Sequence, residues 1–369
     1  MTYARARALE NSLTMTDNTI RVGVIGAGGN TKKFHIPGLQ KQRGVEVVAV
    51  ANRTLASAAK VAEEFGIESA RADWEEIVYD DSIDAVCIGT WPYMHAPITI
   101  AALQAGKHVL CEARMAMTSA QAHGMLEVSQ MNPSLIAQIV PAPLTFKVDR
   151  VIAELIGEGY IGDLITLDAR IAFGSQFPAW ASPVHWRQQR EFSGNNIMTM
   201  GIFYEGFMRW VGTARSVQAV GQTVVKHRQN ADGTREAMTI PDHIDMLCEM
   251  EQGGQMRLGL TSVCGHLPGI DINICGTEGT LRVALEEGEL TLYGATRSSR
   301  KMTEIRIPKK KQLHWRVEEE FIGAIRGTEA IRFTDFETGV KYMEWTDAVS
   351  AALRTGQKVH LPLTASVPA

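Results

Sequence analysis

A short apolar run, Arg21-Val-Gly-Val-Ile-Gly26, passes directly into Gly26-Ala-Gly28-Gly29-Asn30-Thr31 and then into a helix-like stretch reaching Leu39. A second apolar run, Val45 to Val50, follows at the spacing of a strand–helix–strand unit. Gly26 allows a tight turn, and Gly28 lets backbone amides come close to a ligand. The helix start behind them offers unpaired N–H groups and a partial positive charge, which together suit a pyrophosphate. Thr31 stands where the dinucleotide fingerprint has its third glycine or alanine, which predicts slightly looser helix–strand packing. Gly26, Gly28, Gly29, Asn30 and Thr31 are therefore candidate dinucleotide-binding residues.

The same alternation continues. Ala85 to Gly89, His108 to Cys111 and Ile136 to Val140 read as further buried strands, with helix-period stretches at Leu55–Phe65, Ala96–Ala105 and Ser119–Ser129 between runs. Near-continuous apolar strands separated by amphipathic helices predict a doubly wound parallel sheet covered on both faces. From about Gly162 the pattern changes to strict alternation, as in Ile244–Met250, Met256–Leu260 and Ile270–Ile274. Leu281–Val283, Glu289–Tyr293 and Glu304–Ile307 continue it, predicting an open-faced, mostly antiparallel sheet. Helices near Asn195–Trp210, Trp315–Ile325 and Gly339–Leu353 pack on one side. The expected division is a loose extension over 1–19, a Rossmann domain over 20–145 and an α/β substrate and oligomerisation domain over 146–369. The C-terminal helix is free to pack back on the first domain.

A chain of 369 residues with 45% apolar and 21% charged residues suits two globular domains. The net charge of −4 gives no general pull toward nucleic acid or acidic membrane, and no apolar run is long enough to span a bilayer. Lys309-Lys310-Lys311 reads as a solvated turn. The five scattered cysteines (Cys87, Cys111, Cys248, Cys264, Cys275) lack disulfide or zinc spacing and point to a reducing, cytoplasmic compartment. No histidine, cysteine or carboxylate cluster suggests a metal.

The second strand ends in Val50-Ala-Asn52-Arg53-Thr54. A site for NAD usually has a carboxylate here for the adenosine ribose, whereas a guanidinium can pair with a 2′-phosphate or lie on adenine. Asn52, Arg53 and Thr54 thus favour NADP over NAD.

Three further stretches carry a family resemblance: Gly89-Thr-Trp-Pro-Tyr-Met-His95, Ala105-Gly-Lys-His-Val-Leu-Cys-Glu112, and Thr334-Asp-Phe-Glu-Thr-Gly339 with Thr355-Gly-Gln-Lys-Val359. In order and spacing the chain resembles the Gfo/Idh/MocA oxidoreductases over most of residues 20 to 362. The resemblance implies a Rossmann domain followed by an open-faced sheet domain, with homodimers or homotetramers formed through that sheet. It also implies a nicotinamide cofactor and a sugar- or polyol-like substrate, and it adds Thr90, Trp91, His95 and Glu112 to the cofactor set.

The departures concern catalysis. Where the family has lysine and proline after the glutamate, this chain has Ala113 and Arg114. Where it has aspartate and histidine four residues apart, alignment on Gly201 puts Thr199 and Phe203. Loss of these groups matters because general base assistance is worth roughly 10²–10⁴ in rate. Candidate replacements are Arg114, which could hold an oxyanion or form a salt bridge; Tyr204, as a proton donor; and His185, whose imidazole titrates near neutrality. Tyr204 and Glu205 are expected to point away from the face shared by Thr199 and Phe203. Trp186, Arg187, Asn195, Asn196 and Thr199 are candidate substrate contacts. The asparagines have helix capping as their alternative role, and Trp180 and Trp186 have core packing. His35 reads as a packing or capping residue, and Glu318 to Glu320 as a structural helix face. Three activities remain open on this reading: net redox of a sugar or polyol, glycoside cleavage through transient oxidation, and ligand sensing without catalysis.

Overall fold

The computed structural model describes residues 19–173, 177–230 and 232–363, so the extension expected over 1–19 lies almost wholly outside the described residues. The first sheet has six parallel strands, β1 (Ile20–Ile25), β2 (Val45–Ala51), β3 (Ser69–Arg71), β4 (Ala85–Ile88), β5 (His108–Cys111) and β6 (Ala137–Ile139). Their order, β3-β2-β1-β4-β5-β6, reverses beside β1 and is the doubly wound arrangement predicted. β3 escaped the sequence reading because three half-buried residues carry no usable periodicity.

Helices α1 (Ile36–Gln40), α2 (Leu55–Phe65), α3 (Glu75–Val78), α4 (His95–Gln104) and α5 (Ser119–Met131) alternate with these strands. α2 matches its expected bounds because Thr54 caps it, its hydroxyl accepting from Ser57 N, and Gly66 ends it in the left-handed region. Ahead of α1 the chain is wound as one π turn, Thr31–His35, a geometry that concentrates at functional sites.

After α6 (Phe146–Gly157) comes the second sheet, of nine strands. They are β7 (Leu164–Ala172), β8 (Ala214–Gln222), β11 (His243–Met250), β12 (Gln255–Thr261), β13 (Ile270–Gly276), β14 (Gly279–Glu286), β15 (Glu289–Thr296), β16 (Thr303–Glu304) and β17 (Val359–His360). A separate hairpin pairs β9 (His227–Gln229) with β10 (Arg235–Ala237). All pairings in the large sheet are antiparallel except β7 with β12. The run at Glu304–Ile307 pairs only through Thr303 and Glu304, a correction to the strand expected there.

Helices α7 (Met200–Val211), α8 (Val317–Ile325) and α9 (Phe336–Thr355) complete the chain. Phe207, Trp210 and Trp345 of α7 and α9 share a core with Met246, Cys248 and Leu258 of the sheet. The opposite sheet face is open and carries ion pairs such as Arg170–Asp245, Arg257–Asp168 and Arg282–Asp271. α9 does pack back on the first domain: Asp347 accepts from Ser119 N at 2.6 Å, and Glu344 from His123 Nε2 at 2.8 Å. The Trp345 side chain is fully buried, stacked on Tyr204 at 4.2 Å, with Nε1 donating to Cys248 Sγ. Trp345→Ala is expected to cost about 3–5 kcal/mol, read as a lower urea midpoint.

Candidate active site

The glycine loop lies at the carboxyl ends of β1 and β4. Gly26, at φ 84°, approaches Thr90 so closely that a Cβ there would fall 2.5 Å from Thr90 N. Gly89 is tighter: a Cβ would sit 2.0 Å from Thr31 Oγ1 and 2.5 Å from the Gly26 carbonyl. Thr31 is therefore not a loosening residue, as its position in the fingerprint had suggested. Its buried hydroxyl donates to the Gly26 carbonyl at 3.2 Å, and the absent side chain of Gly89 makes room for it.

A groove of about 540 Å³ opens over this loop, lined by Gly26, Gly28, Asn52, Arg53, Thr54, Thr90 and Trp91 among the expected residues. A Cβ on Gly28 would meet only the Gly89 carbonyl at 3.9 Å, and one on Gly29 nothing within 4 Å, so backbone there faces open space. That space, beside a helix start, fits a dinucleotide pyrophosphate. Asn52 turns inward, its Oδ1 accepting from Ala27 N at 2.7 Å, and so shapes the loop. Arg53 lies over Trp91, 5.3 Å from the ring centre. Asp73 and Trp74, at the end of β3, also line the groove, and the sequence reading missed both.

Beneath the loop sits a buried charge cluster. His35 is fully buried, with Nδ1 2.6 Å from Glu318 Oε1 and Nε2 3.0 Å from Glu112 Oε1. Glu112 also accepts from Asn30 Nδ2 at 2.5 Å and from Ala113 N at 3.0 Å. Burial alone would push the His35 pKa down; hydrogen bonds and charges from Glu112 and Glu318 outweigh it and raise it to about 9. His35 is thus an ionic anchor, beyond the packing or capping role expected. Glu318 and Glu320 are buried, in keeping with the structural helix face expected there.

The second domain brings its residues to the same end. Trp186 stacks on Trp91 at 5.5 Å and 15°, and Arg187 lies 4.2 Å over Trp186. His185, Arg187 and Thr199 line a cavity of about 240 Å³ with Arg228, Asp242 and Phe173. Thr199 reaches its wall through two consecutive left-handed residues, Met198 at φ 43° and itself at φ 60°, the kind of local strain that clusters at active sites. His185 Nδ1 accepts from Arg187 N at 3.2 Å, so the neutral ring carries its hydrogen on Nε2.

Several expected site residues lie elsewhere. Tyr204 is buried, its hydroxyl accepting from Ala214 N at 2.8 Å, and burial raises its pKa; it cannot serve as a proton donor to this cavity. Glu205 likewise points inward, accepting from Ala142 N and Thr334. His95 is fully buried between the Arg114 and Thr90 carbonyls, at 2.6 and 2.9 Å, and supports the groove wall without facing it. Asn195 donates to Asp347 at 2.9 Å and belongs to the α9 contact. Arg114 is buried and forms no ion pair among the described residues; its guanidinium donates to the amide oxygen of buried Asn196. Arg114 and Asn196 therefore stand behind the site, not on its surface. Trp180 is exposed and joins neither core nor cavity.

The family follows from comparison. Residues 20–136 match the oxidoreductase family with an NAD-binding Rossmann fold, and residues 150–282 match the GFO/IDH/MocA C-terminal domain. The chain belongs to the GFO/IDH/MocA family of NAD-dependent oxidoreductases. Levoglucosan dehydrogenase of Pseudarthrobacter phenanthrenivorans is 29% identical over 258 residues, 64% of each chain. An uncharacterised oxidoreductase of Synechocystis is 26% identical over 273 residues, 71% of each. Mouse trans-1,2-dihydrobenzene-1,2-diol dehydrogenase is 26% identical over 220 residues, 58% of this chain and 63% of its own. The structure of levoglucosan dehydrogenase with NADH and L-sorbose superposes with TM-score 0.81 at 22% identity, over 93% of this chain and 99% of that one. That likeness establishes the shared fold. In this family setting no helix among the described residues is long and apolar enough to cross a membrane, and none of their His, Cys, Asp or Glu groups could hold a metal.

Two measurements probe the anchoring of the groove. Gly89→Ala should displace Thr31 and the glycine loop and weaken NADH binding at least 10-fold, read by nucleotide fluorescence. A histidine pKa raised from 6.5 to about 9 contributes stability in full below pH 6.5 and loses it as pH climbs through 9. His35→Gln should therefore be less stable than the parent at pH 6 by roughly 3 kcal/mol, the gap narrowing as pH rises from 6.5 and all but closed above about 9 in urea unfolding.

Proposed function

We propose that this chain oxidises or reduces a sugar, polyol or related hydroxy or keto compound at a single carbinol carbon, using a nicotinamide dinucleotide bound in the first-domain groove. The observation that carries this reading is the Trp91–Trp186 stack, which joins the groove to the cavity of His185, Arg187 and Thr199. The sugar-acting relative at 29% identity supports the substrate class. The nicotinamide, when bound, takes or gives a hydride. Gly26, Gly28 and Gly29 hold the pyrophosphate, and Glu112 with Asn30 steadies the loop beside it. In the oxidising direction the carbinol C–H electron pair leaves as hydride, a carbonyl forms, and the hydroxyl proton goes to His185. To receive it the ring gives up its weak 3.2 Å bond from Arg187 N. Thr199 holds a neighbouring substrate hydroxyl.

The finer cofactor preference falls to NADP, because Arg53 stands free over Trp91 where a 2′-phosphate would lie and β2 ends without a carboxylate. Asp73 on the same groove favours NAD, so the two cofactors separate the readings. Arg53→Ala should lower kcat/KM with NADP roughly 10-fold or more while changing that with NAD little. The open face of the nine-stranded sheet, with exposed Val220 and Leu247 among its ion pairs, supports pairing of two or four copies, testable by sedimentation. The cytoplasm is the compartment consistent with five free cysteines.

The deciding assay follows absorbance of the reduced nicotinamide with NAD or NADP and a panel of sugars and polyols. Turnover with one class, cut roughly 10²–10⁴-fold in His185→Phe without loss of cofactor affinity, is the expected result. Full activity in that variant would reject His185. Product release without accumulation of reduced cofactor would favour transient oxidation coupled to glycoside cleavage, and silence despite cofactor binding would favour sensing.

A further inference from the structure

The charges around the cavity are unbalanced in one direction. Two guanidiniums, exposed Arg187 and buried Arg228, stand on its wall, and neither forms an ion pair among the described residues. The one wall carboxylate, Asp242, has both oxygens engaged by backbone donors, Val224 N at 2.7 Å and Val225 N at 2.9 Å. Behind the wall a third guanidinium, Arg114, is buried with only the Asn196 amide oxygen to meet it, close enough to feel the charge of Arg187. Glu112, whose charge acts on Arg187, is already held by His35, Asn30 and Ala113. Arginine is rarely buried without a paired anion, because desolvating the cation is costly. Buried Arg228 and Arg114 have no such anion in ion-pair contact, and the one charge of Asp242 leaves the wall short of a second anion.

We infer that the substrate itself supplies it: the cavity takes an anionic sugar or polyol, whose carboxylate or phosphate lies against Arg187 and Arg228. This rests on the proposed redox function and narrows its substrate class. The planar guanidinium fork matches either anion through two parallel N–H donors. Arg187 is braced for that task, since its face lies 4.2 Å over Trp186, which is itself stacked on Trp91 of the groove. Arg228 is held from the other side by Ser182 Oγ. Anchoring the acidic end there leaves the carbinol carbons of a small ring to reach toward the groove, beside His185 and Thr199.

The test titrates the NADH-loaded and NADPH-loaded protein with matched probes: D-glucuronate against D-glucose, D-gluconate against D-glucitol, and D-glucose 6-phosphate as the phosphate arm. Each variant is titrated with cofactor first, so that loss of the nucleotide site is read separately. At least one acid should bind 10-fold or more tighter than its neutral partner, which of the carboxylate and phosphate arms responds naming the anion. That preference should collapse in Arg187→Met and return in part in Arg187→Lys. Equal or tighter binding of the neutral partners, an acid preference unchanged in Arg187→Met, or no binding of any probe to the cofactor-loaded protein would overturn the inference while leaving the redox function standing. Failure to bind either cofactor would overturn the redox function itself, and this inference with it.

Discussion

Buried charge is stable only when its partners are close and complete, and His35 meets that condition by holding three distant segments together. Its imidazole lies between Glu112, at the end of β5, and Glu318, at the start of α8, while the π turn that carries it begins at the glycine loop. Trp315 Nε1 donates to Glu318 at 2.8 Å and closes the cluster from the C-terminal side. Removing any member would leave an uncompensated charge in a dry interior. Glu112 in turn holds Asn30 and Ala113, tying the glycine loop to the end of β5. The nucleotide groove is built on this contact.

The catalytic groups we propose differ from those the resemblance implies, while the scaffold is that of the family. At the strand end where the resemblance implies a lysine stands Ala113, and the following Arg114 is buried, donating to Asn196. α7 turns Phe203 into the core against Phe173 and Phe207. What remains near the nicotinamide end is carried by one loop, His185-Trp186-Arg187, fixed by aromatic stacking. A cavity rich in guanidinium and poor in carboxylate polarises bound oxygen well and accepts protons badly. On the proposed function, the burden of proton transfer falls on His185.

Much of the fold was legible because its signals are local. Continuous apolar strands, alternating strands and the glycine loop each read directly as layers and as a binding turn, and α2 was bounded by its own cap. The errors were of two kinds. β3 and β16 are too short for a period to register. Tyr204, Asn195, Asn196 and His95 have chemistry that suits a site, but their orientation depends on what packs beside them. Tyr204 meets Trp345 and Ala214 N, and Asn195 meets Asp347, all far off in sequence or set by helix docking. For Tyr204 the helical angle already pointed away from the site; for the asparagines and His95, residue type could not distinguish those surroundings from a cavity.

By itself, the sequence determined the two sheet types, the order of strands and helices in the first domain, and the dinucleotide loop, since backbone propensity, periodicity and glycine sterics act over a few residues. Tertiary structure alone decided that His35 is charged between two glutamates, that Trp91 meets Trp186, and that three arginines gather near one cavity with a single carboxylate, Asp242, on its wall. Those outcomes depend on the distances between segments far apart in sequence, and electrostatic and stacking energies fall away within a few ångströms.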